Sequence, residues 1–188
     1  MFKKLKFKWD RFVGIQPVEI KAFCGVMGSG KGYKCQQLID NEDYVQIDFA
    51  DGLREMVWKM LDWQPKNAEE YDLFKKGLFF VPSYGKLNGR LLLQRIGATM
   101  RELDPDFWVK QWKKSVDRAL AMGYNKICCS DCRYDNEVKM IKSYNWQAKT
   151  TVEFCDYHSD RYNAESTHES EAMAIRLLKE GYKDGDLI

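Results

Sequence analysis

A chain of 188 residues with 30 Lys and Arg against 28 Asp and Glu has a formal charge of +2, well short of the basic excess of a dedicated nucleic-acid binder. Its 45% hydrophobic and 14% aromatic residues suffice for one domain, and its six cysteines are too few to build a fold from disulfides. No apolar run nears the ~20 residues of a membrane helix, and Lys3, Lys4, Lys6 and Lys8 interrupt any secretion signal, so neither membrane nor nucleic acid is expected and a cytoplasmic location is.

The first sixteen residues stand apart. Phe2, Leu5, Trp9 and Phe12 recur at helical spacing among the lysines, which predicts a basic amphipathic extension over 1–16, ended by Gly14 and Pro17. Such a stripe more often docks on the chain's own body or on a twin subunit than on an anionic surface, so a homodimer stays open. From 17 to 188 the chain reads as one domain. An apolar β-type run over 18–24 is followed by a glycine-rich turn, a helix over 33–39, a short run over 44–49 and a helix over 53–61. Residues 64–86 read as irregular, with Pro65 and Pro82. Helices over 90–103 and 105–122, a buried strand over 126–130, a helix over 135–144 and a strand over 148–155 complete the pattern. The polar segment 156–166 suits a closing lid or an ordinary surface loop, and the capping-box spacing of Ser166-Thr167-His168-Glu169 opens a helix to 179.

Strands separated by helices predict an α/β fold: a mainly parallel sheet, right-handed crossovers and helices on both faces. Ligands of such sheets bind beyond the carboxyl ends of the strands. Gly25-Val26-Met27-Gly28-Ser29-Gly30-Lys31 lies at such an end and satisfies G-x-x-x-x-G-K. Glycines let consecutive N–H groups turn onto a polyphosphate, the helix terminus adds partial positive charge, and the lysine neutralises the outer phosphates. The hydroxyl residue that usually follows the lysine and reaches magnesium is replaced by Gly32, then Tyr33. The G-S-G-K-G run resembles the adenylate-kinase branch of nucleoside monophosphate kinases, in which a threonine comes next.

Arg90, Gln94, Gly97 and Arg101 share one helix face, suited either to a ligand needing cationic and amide contacts or to solvent. Ile127-Cys128-Cys129-Ser130-Asp131-Cys132-Arg133 is an apolar strand ending in a carboxylate, as P-loop enzymes use to hold Mg²⁺ or its water. Arg133 just beyond is a candidate for a transferring phosphate, or for a plain pair with Glu137 four residues on. Cys129 and Cys132 form a C-x-x-C, but the only histidines, His158 and His168, stand far along the chain, which disfavours zinc.

Phe49-Ala50-Asp51-Gly52-Leu53-Arg54, Arg90-x-x-x-Gln94-x-x-Gly97, Asp106-Phe107-Trp108-Val109, the run 130–137 and His168-Glu169-Ser170-Glu171 resemble, in that order, phage deoxynucleoside monophosphate kinases. The resemblance spans about residues 20–175. It implies a three-layer αβα P-loop NTPase fold with a helical substrate-side insertion at 64–104 and, if phage-encoded, a host-cytoplasmic location. It also implies that Lys31, Arg90, Gln94, Asp131, Arg133 and Glu137 surround ATP and a deoxynucleotide, with the γ-phosphoryl group passing to the acceptor's 5′-phosphate. In these terms Gly25, Gly28, Ser29, Gly30, Lys31, Gly32 and Tyr33 bind ATP. Lys31, Arg90, Asp131 and Arg133 are catalytic, and Asp131 belongs to the Mg²⁺ shell, directly or through water. Gln94, Gly97 and Glu137 are assigned to the acceptor. Asp51 and Arg54 touch the acceptor or form a surface ion pair; Trp108 stacks on its base or packs in the core. Two other readings remain: a kinase for another small acceptor, with Asp48 as base for an alcohol, and a non-catalytic nucleotide-binding or assembly protein.

Overall fold

The computed structural model describes residues 17–26, 28–145 and 147–155 together with Arg176. The 1–16 extension, the 156–166 lid and, except for Arg176, the helix over 166–179 lie outside the described residues. In chain order the elements are β1 (Glu19–Gly25), α1 (Lys31–Glu42), β2 (Val45–Gln46), α2 (Asp51–Leu61), α3 (Ala68–Lys75), β3 (Phe79–Val81), β4 (Gly85–Leu87), α4 (Gly89–Leu103), α5 (Phe107–Ala121), β5 (Lys126–Cys132), α6 (Asp135–Lys142) and β6 (Lys149–Cys155). Four strands form a parallel sheet in the order β2-β5-β1-β6. The α/β architecture expected from the sequence is what the chain adopts.

Period-two alternation gives each long strand two apolar faces. Ile20, Ala22 and Cys24 of β1, Ile127 and Cys129 of β5 and Val152 and Phe154 of β6 pack against Val109, Trp112 and Val116 of α5 and Val138 and Ile141 of α6. Phe23, Cys128 and Cys155 on the opposite face meet Cys35, Leu38 and Ile39 of α1. The crossover rule accounts for this division: from β1 the chain moves to the β2 edge through α1, then comes back through α5 to β5 and through α6 to β6 at the far edge. Right-handed crossovers running in opposite directions put their helices on opposite faces. The carboxyl end of β1 is therefore where the strand order reverses.

A second core is built from the chain segment between β2 and β5. Leu53, Val57 and Leu61 of α2 pack with Phe74, Val81 and Trp108, and with Leu92, Leu93 and Ile96 of α4. The expected irregular region 64–86 is ordered instead: it holds α3 and the antiparallel hairpin β3–β4. Asn67 caps α3 by accepting from Glu70 N at 2.8 Å, and Gly77 and Gly85 supply φ of 70° and 74° at the turns. Elements this short carry too little periodicity to be seen in sequence. The run 44–49 forms only the two residues of β2, because its distal half turns across the end of β5 to build the site below. No helix among the described residues is long and apolar enough to cross a membrane.

Candidate functional site

Gly25 ends β1 against the end of β6, where a Cβ would lie 2.2 Å from the Cys155 carbonyl oxygen; only glycine permits that approach. Gly28 and Gly30 turn the loop at φ 87° and 83°, the left-handed region that glycine adopts without a Cβ clash. Ser29 Oγ donates to the Val26 carbonyl at 2.9 Å. Lys31 opens α1 and is only 7% exposed; its Nζ donates to the Val26 carbonyl, and to Ser29 Oγ at 3.2 Å. Glycine as N-cap leaves α1 without a side-chain cap, and its first turn carries no acidic residue. That leaves a helix terminus whose dipole favours an anion. Gly32 faces open space, with nothing within 4 Å of a Cβ built there. Tyr33 is 69% exposed, and its hydroxyl accepts from Gln37 Nε2 at 2.8 Å along the outer face of α1.

Beside the loop, the ends of β2 and β5 are locked by carboxylates that accept from each other's main chain. Asp131 Oδ1 accepts from Phe49 N at 2.8 Å and Oδ2 from Ala50 N at 2.9 Å. Asp48 Oδ1 accepts from Ser130 N at 2.7 Å, and Asp48 Oδ2 accepts from Gln46 Nε2 at 2.8 Å. The register between β1 and β5 shifts between Ala22 and Cys24, so Ala22 pairs with Cys129 but Cys24 with Cys132. The extra β5 residue falls at Ser130 and Asp131, and a bulge re-aims side chains in this way. Asp48, Asp131 and the Cys129 thiol offer ligand atoms within 4.8 Å of one another. Burial, then the Asp131 charge, pushes the Asp48 carboxyl above its usual range. Burial followed by Asp131 and Asp48 likewise keeps Cys129 a thiol, which donates to Asp131 Oδ1 at 3.4 Å.

Arg54 reaches this edge from α2, its Nη2 lying 2.5 Å from Asp51 Oδ1 and 3.4 Å from Asp48 Oδ2. Burial disfavours its charge, but Asp131 and Asp51 outweigh that and hold the guanidinium protonated. One residue past β5, Arg133 leads into Tyr134 and α6. Glu137 is 3% exposed, and its Oε2 accepts from Arg133 N at 2.7 Å and Tyr134 N at 3.0 Å. Burial and then Asp131 raise its pKa to about 7, opposed by those two amides and by Arg101.

The loop residues and the cluster Asp51, Arg54, Asp131, Arg133 and Glu137 thus gather at the carboxyl edge of the sheet. The α4 stripe divides. Gly97 is buried against Leu53 of α2, with a Cβ position 3.3 Å from that side chain, and Arg101 lies 4.2 Å over the ring of Tyr134. Arg90 is exposed and Gln94 half-buried, with Arg90 about two turns along α4 from Gly97. Of the two roles open to Trp108, the structure shows packing: it is 2% exposed and its indole N–H donates to the Gly97 carbonyl at 3.0 Å. Cys129 and Cys132 are buried free thiols facing the same core. The sequence reading missed Gln46 and Ser130. Their signal is tertiary, since they act only where β2 and β5 converge. An open groove of about 710 Å³ runs from Asp51 and Arg54 past Trp58 to Trp63 and Gln64. Set beside known proteins, the chain matches no family model and no curated sequence.

Proposed function

We propose that the protein is an ATP-dependent kinase of deoxynucleoside 5′-monophosphates, built on a three-layer αβα P-loop NTPase fold whose helical insertion at 64–104 handles the acceptor. The observation that carries this reading is the uncapped start of α1 behind two left-handed glycines, with Lys31 folded over the Val26 carbonyl. It lies at the reversal point of a parallel sheet, the position at which such folds take nucleotides. The resemblance of the surrounding motifs supplies the acceptor.

In this reading the bond from the γ-phosphorus to the β,γ-bridging oxygen breaks, and a bond to an acceptor phosphate oxygen forms. That oxygen is already anionic at neutral pH, so no general base is needed; in-line positioning and positive charge carry the rate. Lys31 neutralises the β- and γ-phosphates. Arg133 and Arg90 serve the transferring and acceptor phosphates, and Gln94 orients the acceptor. The oxygen donors of Asp131 suit Mg²⁺. Each also takes a main-chain N–H, and Asp131 would hold the ion directly or through water. The ion would supply positive charge to the phosphates. Asp48 is ill-suited as a base for an alcohol, because Ser130, Gln46 and Arg54 all donate to it.

A coupled ADP-release assay against deoxy- and ribonucleoside monophosphates tests the reading. Turnover with at least one deoxynucleotide is expected; ATP binding without turnover on any acceptor would make the protein a nucleotide-binding module instead.

A further inference from the structure

Residue 133 stands between the last ladder residue of β5 and the N-cap of α6. A main-chain N–H in such a gap has neither a strand nor a helix acceptor waiting for it. Here one side chain serves two of them: Glu137 Oε2 takes Arg133 N at 2.7 Å and Tyr134 N at 3.0 Å. The carboxylate is enclosed rather than presented to ligand, at 3% exposure. The charges of Asp131 on β5 and Arg101 on α4 act on it in opposite senses, and its own charge disfavours ionisation of the Cys129 and Cys132 thiols. Arg101 in turn stacks over Tyr134 at 4.2 Å and closes the turn from outside.

We propose that Glu137 is a positioning residue, whose carboxylate holds the main chain of Arg133 and Tyr134 and thereby fixes where the Arg133 side chain departs from the edge of the sheet. This rests on the phosphoryl-transfer reading of Arg133, and it replaces acceptor binding as the role of Glu137. An error of about 1 Å in the placement of a phosphate-binding group costs on the order of 100-fold in rate, so the turn needs a rigid support.

Charge and geometry separate in two conservative variants. Glu137→Gln keeps an acceptor oxygen at the same reach and removes the charge, whereas Glu137→Asp keeps the charge and withdraws the oxygen by one methylene. The proposal expects kcat for phosphoryl transfer from ATP within about 3-fold of wild type in Glu137→Gln and a loss of about 100-fold in Glu137→Asp, with the KM for ATP unchanged in both. Adding Glu137→Asp to Arg133→Ala should cost nothing further, because the partner it acts through is gone. The reverse order of the two conservative variants, or additive losses in the double variant, would overturn it. Amide exchange followed by NMR gives a readout free of activity: Arg133 and Tyr134 N–H should exchange slowly in wild type and Glu137→Gln and fast in Glu137→Asp. Slow exchange in all three would overturn the proposal. Absence of turnover in wild type, with the exchange pattern as expected, would instead remove the kinase reading and leave the turn support standing.

Discussion

Glu137 also makes stability depend on pH. Its pKa is raised from 4.5 to about 7 by burial and Asp131, so the folded molecule keeps a proton that the unfolded chain releases between these values. The resulting stabilisation is present below that window and is lost as pH rises through it. At about 1.4 kcal/mol per unit, the effect is a few kcal/mol. Thermal melting should show Tm falling from pH 5 to 8, with a shallower slope in Glu137→Gln; equal slopes would remove Glu137 as the source. Asp48, raised by burial and Asp131, adds to the fall in the same sense. Gly32 carries a second residue-scale prediction. A Cβ there meets nothing within 4 Å, so Gly32→Ala should stabilise α1 by about 0.5–1 kcal/mol in chemical denaturation. If phosphate approaches the bare backbone at that position, the same change weakens ATP binding. A gain in stability with no loss of binding would place the nucleotide elsewhere.

At the scale of elements, α4 starts on a side-chain cap and a close backbone approach, whereas α1, α2 and α5 have no side-chain cap. Asn88 Oδ1 accepts from Leu91 N at 3.1 Å at the start of α4, and Asn88→Ala should cost about 1 kcal/mol in urea unfolding. The neighbouring Gly89 admits no side chain, since a Cβ would lie 2.1 Å from the ring of Phe74; Gly89→Ala should cost more than the cap, roughly 1–3 kcal/mol. Equal losses in the two variants would show that Phe74 yields freely. These contacts mark the limit of what a linear reading reveals. Long strands and helices announce themselves by period, and the G-x-x-x-x-G-K spacing places the loop between β1 and α1. Glu137 reads equally well as a ligand contact or a partner of Arg133, and only the folded turn shows its oxygen on two amides. Asp131 likewise reads as a metal ligand from its place at a strand end. Its grip on Phe49 and Ala50 depends on the β5 bulge, which leaves no mark in composition or period. Trp108 was ambiguous because a helical tryptophan suits a core or a base, and the Gly97 carbonyl decides it.

For the molecule as a whole, parallel order and crossover handedness bring the glycine-rich loop, the interlocked Asp48 and Asp131, and the Arg133 turn to one edge of one sheet. The helices α2 and α4 are joined to that edge through Arg54 at Asp48 and through Arg101 over Tyr134. If a nucleotide binds the folded state and not the unfolded chain, Tm should rise with its concentration. Calorimetric titration of ATP with Mg²⁺ into wild type and Lys31→Ala tests the central claim most directly. The account predicts one site per chain in wild type and a Kd weakened about 10- to 100-fold in Lys31→Ala, with an unchanged circular dichroism spectrum. Equal affinity in both proteins, or no binding by wild type, would contradict it.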